Sequence, residues 1–438
     1  MKKILFLIFC FAMCTAALAD DFTRRAQQHF EWLQTGKADS VLLYSTPQVK
    51  AQLKAAALNQ IWAQLQAQGG KLTDVRPWKV VSTSGYHVCE RILVFERARL
   101  QLNIVLSPEN LLAGLNFVPA PAEEEETTAG SEQEEADDDS DDVAFTERDF
   151  AVKHGQVELP GTLTIPAGED ERWPVVILVH GSGPQDRDET LGPNAPFRDL
   201  AHGLALRGIA VVRYDKRTKV YGARTAEVSG GKLNLDTEAV DDALAAARLV
   251  AQLPEIDAEQ VYIVGHSLGG TLVPRMAERA RQEGVKLAGV VGVAALARPF
   301  EQAVESQLAY IAETQGTDSE QARKQAAEGA KQMMSQLPES YRKAMADYNA
   351  TRTAAGLGAY RMLFVQGGHD YQVTKEDLGL WKAALGANPQ AEFAFFPSLD
   401  HFLRSLPEMA KPNDYLKPGT TAPEAIDRIA AFVLDEEP

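Results

Sequence analysis

Gly265-His266-Ser267-Leu268-Gly269 sets a serine between two glycines, the spacing needed where a nucleophile is forced onto a sharp turn. Its setting strengthens the motif. Val261-Tyr262-Ile263-Val264 reads as a buried strand and Leu268 to Glu283 as a helix, so Ser267 falls between them, with the positive end of the helix dipole facing any developing negative charge. Chemistry of this kind is attack on a carbonyl, and it requires a base, an acid to orient the base, and two N–H donors for the oxyanion. Leu268, directly after the nucleophile, supplies one donor. The other is expected from the loop that follows the apolar run Val175 to Val179, His180-Gly181-Ser182-Gly183-Pro184, with Ser182 the first choice and Gly183 the next. In such a sheet, acid and then base follow the nucleophile along the chain. Asp370 and His401 fit that order, each lying just beyond a strand-like run, Met362 to Val365 and Glu392 to Phe396.

Of the eight histidines, His29 and His87 lie in the first hundred residues, His154 precedes the sheet, and His202 sits within a helix. His180 and His266 belong to the two glycine turns. His369 is the rival base, but it would compete for geometry with its neighbour Asp370. Asp400 is the rival acid, yet adjacency to His401 points the two side chains apart.

The elements around these residues alternate. Val175–Val179, Ile209–Tyr214, Gln260–Val264, Leu287–Val293, Met362–Gln366 and Glu392–Phe396 are short β-branched or aromatic runs, separated by helical patterns such as Asp236–Leu253 and Ala422–Leu434. This predicts a mostly parallel sheet with helices on both faces. From Arg298 to Leu357 the strand signal disappears and helical periodicity takes over, an inserted helical cap over residues 299–357. The first hundred residues read differently, as two amphipathic helices (Phe30, Leu33; Leu53, Leu58, Ile61, Trp62, Leu65) stopped by Gly69-Gly70. Three strands follow, Trp78–Thr83, His87–Glu96 and Arg99–Leu106.

From about Phe145 to Val433 the chain resembles the bacterial α/β-hydrolase superfamily, nearest to its secreted esterase and dienelactone-hydrolase-like members. The resemblance rests on His180 to Pro184 with Arg187-Asp188, on Arg213-Tyr214-Asp215-Lys216-Arg217, on Gly265 to Gly270, on Gly367 to Asp370 and on Asp400-His401. It implies a Ser, Asp, His triad, here Ser267, Asp370 and His401, and no cofactor or metal. Related sequences often carry Gly after the Asp-Lys-Arg run, where this chain has Thr218. Arg187, Asp188, Asp215 and Arg217 are expected to be a loop-fixing ion-pair set. The N-terminal part is similar to the small α+β domain, related to cystatin-like and nuclear-transport-factor-like folds, that precedes the catalytic domain in some secreted hydrolases. That likeness rests on Phe30 to Gly36, Trp62, Gly69-Gly70 and Leu115 to Pro119, and it implies a binding or homo-oligomerising role.

Composition narrows the remaining choices. The formal charge of −17, from 61 acidic against 44 basic residues, disfavours nucleic acid as a partner. Twelve of those acids crowd into Glu123 to Asp142, a stretch without Lys, Arg or aromatic residues, which predicts a solvated linker over residues 120–142. Lys2-Lys3, an apolar run from Ile4 to Met13 and Ala17-Leu18-Ala19 form an export signal cleaved after Ala19, its core too short to span a bilayer and Met13 unlike the residue before a lipid-modified cysteine. Cleavage also removes Cys10 and Cys14, leaving Cys89 as an inert, buried strand residue and no internal disulfide. The expected organisation is therefore a leader (1–19), an α+β accessory domain (20–119), the linker, and an α/β-hydrolase domain (143–438). The expected function is an exported, periplasmic or extracellular serine hydrolase that cleaves small-molecule carboxylic esters through an acyl-enzyme, without stable membrane insertion. The same residues would serve a peptidase or amidase, and a non-catalytic envelope-binding protein on a hydrolase scaffold is the alternative of another class.

Overall fold

The computed structural model describes residues 22–46, 49–50, 54–83, 86–107, 110–120, 144–168 and 172–436. The expected leader and the acidic stretch Glu123 to Asp142 lie outside them. The chain divides into two compact units, residues 1–134 and 135–438.

In the first unit a helix over residues 22–34, a short helix Ala38–Leu43 and a longer one, Ala55–Gly69, precede an antiparallel sheet. Its strands are β1 (Leu72–Val75), β2 (Lys79–Thr83), β3 (Tyr86–Phe95), β4 (Arg99–Leu106) and β5 (Leu112–Pro119). β4 and β5 follow β3 in order, while the short β1 and β2 share its other edge end to end. Two of these strands, β1 and β5, are not among the three expected. β1 is short and polar, and β5 carries Gly114 and Asn116, so neither shows an apolar run. Alternation in β4 buries Leu102, Ile104 and Leu106 against Phe30, Leu58 and Trp62 of the helices. The short helix Ala38–Leu43 makes three helices where two were expected, and Gly70, at φ 83°, ends the longer one, Ala55–Gly69. Cys89 is fully buried in β3, and burial pushes its thiol up to about 12, so it is not a nucleophile.

The second unit is built on one eight-stranded sheet. Its strands are β6 (Phe145–His154), β7 (Val157–Pro166), β8 (Trp173–Val179), β9 (Ala210–Tyr214), β10 (Ile256–His266), β11 (Gly289–Val293), β12 (Met362–Gly367) and β13 (Ala391–Phe396), in the spatial order 13-12-11-10-8-9-7-6. Strands β13 through β9 are parallel, and β7 and β6 extend the sheet antiparallel. The period of two is visible in β8, where Val175, Ile177 and Val179 join the core on one face and Val176 and Leu178 the core on the other. The β6–β7 hairpin was not expected, and His154 ends a sheet strand rather than preceding the sheet. β6 is largely exposed and reads as polar, whereas the two-residue turn Gly155-Gln156, with Gly155 at φ 57°, is the signal that marks it.

The helical insertion connects β11 to its neighbour β12, as the helices Phe300–Thr314, Ser319–Gln336, Glu339–Asp347 and Ala350–Gly356. Its entry is pinned by Asp377, whose carboxylate is 0% exposed and accepts bonds from the backbone N–H groups of Ala297 and Arg298 and from the Arg298 guanidinium. Tyr348, near its exit, donates its hydroxyl to the Thr271 carbonyl at 2.9 Å.

Candidate active site

β10 ends at His266 and the helix Leu268–Glu283 begins one residue later, leaving Ser267 alone in the turn at φ 53°, ψ −112°. That backbone is strained for any residue but glycine. It is held by the Ser267 N–H donating to the Val293 carbonyl of β11 at 2.9 Å and by Thr271 donating to the Ser267 carbonyl at 2.9 Å. The flanking glycines are required by close approach. A Cβ on Gly265 would come within 2.3 Å of the Gly269 carbonyl oxygen, and one on Gly269 within 2.3 Å of that of Val179. Gly269 also donates its N–H to the His180 carbonyl at 3.1 Å, tying the elbow to the loop after β8.

Asp370 and His401 arrive on the loops after β12 and β13. Gly367 and Gly368 let these loops lie backbone to backbone, since a Cβ on either would approach the carbonyl oxygens of Leu399 or Pro397 to within 2.4 Å. The two side chains, both buried, meet with His401 Nδ1 2.8 Å from Asp370 Oδ2. The other carboxylate oxygen, Oδ1, accepts the backbone N–H groups of Gln372 (2.7 Å) and Val373 (3.0 Å), so the acid cannot rotate away. The rival residues are committed elsewhere. His369 Nδ1 contacts the Leu406 carbonyl at 2.9 Å, and Asp400 forms a buried ion pair with Arg404 while accepting the N–H groups of Phe402 and Arg404.

In the loop after β8, the Gly181 N–H is taken by Glu189 Oε1 at 2.6 Å, while Ser182 is exposed. Neither the Ser182 N–H nor that of Leu268, at the start of its helix, has an acceptor among the described residues. Gly183 occupies φ 91°, which suits it to the turn. His180 is locked by contact with the Asp186 carbonyl, and burial lowers its imidazole to about 4, so it is neutral near pH 7. Of the expected ion-pair set, two members pair with each other and two take partners outside it. Arg187 pairs with Asp215, Asp188 with Arg213, and Arg217 with the buried Asp242 of the following helix, which His154 also contacts.

Two buried pairs were not anticipated. Beside Ser267, Glu189 Oε2 lies 2.8 Å from His266 Nδ1, and His266 Nε2 is 3.0 Å from the His401 carbonyl, so one chain of contacts joins the loop after β8, the end of β10 and the His401 loop. Burial works against an imidazolium at His266, but the Glu189 carboxylate outweighs it and the group titrates above its ordinary value; burial likewise opposes the Glu189 carboxylate, and His266 holds it below its own. A raised histidine stabilises the fold below its unfolded value and loses that contribution as pH rises through the folded one. A lowered glutamate contributes above its unfolded value and loses this as pH falls. The pair thus supports the fold most between roughly pH 4.3 and 6.5. Glu189→Gln is expected to lower Tm by roughly 4–10 °C in that window, with the gap to the wild type narrowing above it; calorimetry across pH checks this, and a pH-independent gap would exclude a charged pair. The second pair, Lys216 with Glu238, lies under the loop after β8.

Two cavities open between the sheet edge and the insertion. One, of about 280 Å³, is lined by Leu268, Leu272, Leu296, Phe300 and Met345, with Arg352 among its polar residues. The other, about 380 Å³, is bounded by Ser182, Gly183 and Pro184 and by Phe300, Met334 and Tyr341. Phe300 borders both. Among the described residues no group of three or more His, Cys, Asp or Glu side chains is arranged to hold a metal, and no helix is long and apolar enough to cross a membrane.

A model of the alpha/beta hydrolase family matches residues 176–415, and one described as a protein of unknown function (DUF3887) matches residues 26–115. The esterase EstD of Thermotoga maritima is 32% identical over 422 residues, which span 94% of this chain and 95% of that protein. Among solved structures, a hyperthermophilic esterase of Pyrobaculum calidifontis is 17% identical, covers 66% of this chain and 85% of its own, and has a TM-score of 0.46. A dienelactone hydrolase of Anabaena variabilis is 15% identical, covers 67% and 100%, and has a TM-score of 0.39.

Proposed function

The chain belongs to the alpha/beta hydrolase family, and from that premise we propose that it is an exported carboxylic ester hydrolase acting through an acyl-enzyme on Ser267. Its relative along nearly the whole length is an esterase. The observation that carries the mechanism is the 2.8 Å contact between His401 Nδ1 and the buried Asp370 carboxylate. With the imidazole proton on Nδ1 facing that carboxylate, Nε2 carries the lone pair a base needs.

Ser267 Oγ adds to the ester carbonyl as His401 Nε2 takes its proton, and Asp370 steadies the resulting imidazolium. The carbonyl oxygen becomes an oxyanion held by the N–H groups of Ser182 and Leu268. Collapse expels the alcohol, which receives the proton from His401. Water then adds to the acyl-enzyme as His401 Nε2 takes its proton, and collapse of this second tetrahedral intermediate breaks the bond to Ser267 Oγ, which receives the proton from His401 as the acid is released. The 280 Å³ cavity beside Leu268 is roughly twice the volume of one that takes benzene and suits a short acyl chain.

The test is a fluorophosphonate probe applied to protein recovered from the bacterial envelope, followed by intact-mass and peptide mass spectrometry. One adduct on Ser267 and a chain beginning at Asp20 are expected. An adduct on another residue, or none, removes the mechanism, and an uncleaved N-terminus recovered from the cytoplasm removes the export.

A further inference from the structure

We propose that Lys216 is a positioning residue for the oxyanion hole, fixing and polarising the one peptide group whose N–H belongs to Ser182. The inference rests on the oxyanion role given to that N–H above. The carbonyl of Gly181 and the N–H of Ser182 are two ends of a single planar, conjugated unit. Lys216, at 2% exposure, donates from Nζ to the Gly181 carbonyl oxygen at 2.7 Å. A charge-assisted bond at the oxygen draws electron density through the amide and strengthens its N–H as a donor, and low local dielectric enlarges the effect.

Geometry gives the bond a second role. Gly181 has no side chain, because a Cβ there would lie 3.1 Å from Cβ of Ser267. The same lack leaves the peptide beyond it free to rotate, carrying the Ser182 N–H away from the nucleophile. Two buried charged side chains remove that freedom, with Glu189 taking the Gly181 N–H and Lys216 taking its carbonyl. The Lys216 backbone N–H also donates to the Gln185 carbonyl at 3.0 Å, so the lysine is fixed to the loop it orients.

The ammonium is balanced by Glu238, whose Oε1 lies 2.5 Å from Nζ and which is itself buried. Glu238 stands in a π-helical turn, Asp236–Val240, that opens the helix behind it, a departure that recurs at functional sites. Glu238 and Tyr341, the latter from the third helix of the insertion, both line the cavity that Ser182 borders. Polar contacts therefore run from Glu238, beside the insertion's cavity, through Lys216 to the peptide whose N–H belongs to Ser182. A buried ion pair is a poor stabiliser compared with apolar packing, and its retention beside Ser182 accords with a task in orientation.

The test is Lys216→Met/Glu238→Gln, which leaves no lone buried charge, assayed with a short acyl ester and with a trifluoromethyl ketone of the same acyl group, which adds to serine as a tetrahedral oxyanion. The double variant is expected to lose about 10- to 50-fold in kcat with KM within about two-fold, and the ketone should weaken by a similar factor. Lys216→Arg, which keeps charge and donor, should recover most of the loss. Near-UV circular dichroism confirms folding, and Lys216→Gln takes the place of the double variant if that does not fold. A folded variant with kcat within five-fold of the wild type, or a loss carried by KM with unchanged ketone affinity, overturns the proposal. Fluorophosphonate labelling of Ser267 in the same variants separates the two ideas. Labelling that persists in such a variant condemns only the role of Lys216, whereas a wild type that does not label at Ser267 condemns the reading beneath it.

Discussion

Ser267→Ala is expected to lower kcat for short acyl esters by about 10⁴- to 10⁶-fold while leaving the fold intact. The elbow is maintained by backbone bonds, from Ser267 to Val293 and from Thr271 to Ser267, and by the glycines packed around it, so removing one oxygen disturbs none of its supports. Alanine retains the strain of φ 53° without adding to it. Tm should therefore stay within a few degrees. What is lost is the atom proposed to form the acyl-enzyme; any residual rate would come from water added to a bound and polarised carbonyl. Steady-state assays with and without fluorophosphonate separate that residue from contaminating hydrolases. A kcat within ten-fold of the wild type would remove Ser267 from the mechanism.

Asp370→Asn should cost about 10³- to 10⁴-fold in kcat, for a reason visible in the bonds of the carboxylate. Oδ1 accepts two backbone N–H groups, those of Gln372 and Val373, and only an oxygen can occupy that place. The asparagine carbonyl must then sit there and its NH₂ must face His401 Nδ1. His401 answers by taking the tautomer with Nδ1 unprotonated and Nε2–H, which has no lone pair to accept the serine proton. The deficit should shrink as pH rises and hydroxide replaces the assisted attack. A pH–rate profile checks this, and an activity within ten-fold of the wild type across the range would show that Asp370 does not orient the base.

The parts of the site readable from residue order were those whose chemistry leaves local marks. Gly265 and Gly269 announce close backbone approach, and Val261 to Val264 followed by Leu268 to Glu283 announces the turn. Gly367-Gly368 and His401 stand just past apolar runs, and the parallel strands are apolar because helices cover both faces. The β6–β7 hairpin was illegible because its outer strand faces water and carries the polar sequence Thr146-Glu147-Arg148-Asp149. Glu189, Lys216 and Glu238 were illegible for a different reason. Each is a charged residue in or beside a loop, where charge ordinarily means solvent, and only the folded chain shows them buried and paired across long sequence separations. His266, expected in the glycine turn, is the last residue of β10, and its contact with the His401 carbonyl depends on segments that meet only in three dimensions.

The helical insertion leaves the sheet at β11 and returns at β12, two strands already hydrogen-bonded in register, with its entry clasped by Asp377. The proposed catalytic residues and the cavity-lining insertion thus lie on separable stretches of chain. Because closing a longer loop between fixed ends costs little more than closing a shorter one, mutations, deletions and duplications within residues 299–357 can accumulate while Ser267, Asp370 and His401 stay where they are. The insertion can therefore change before the proposed mechanism does, and the buried Lys216–Glu238 pair, beside the cavity that the insertion helps to line, marks one place among the described residues where such a change would reach the peptide of Ser182.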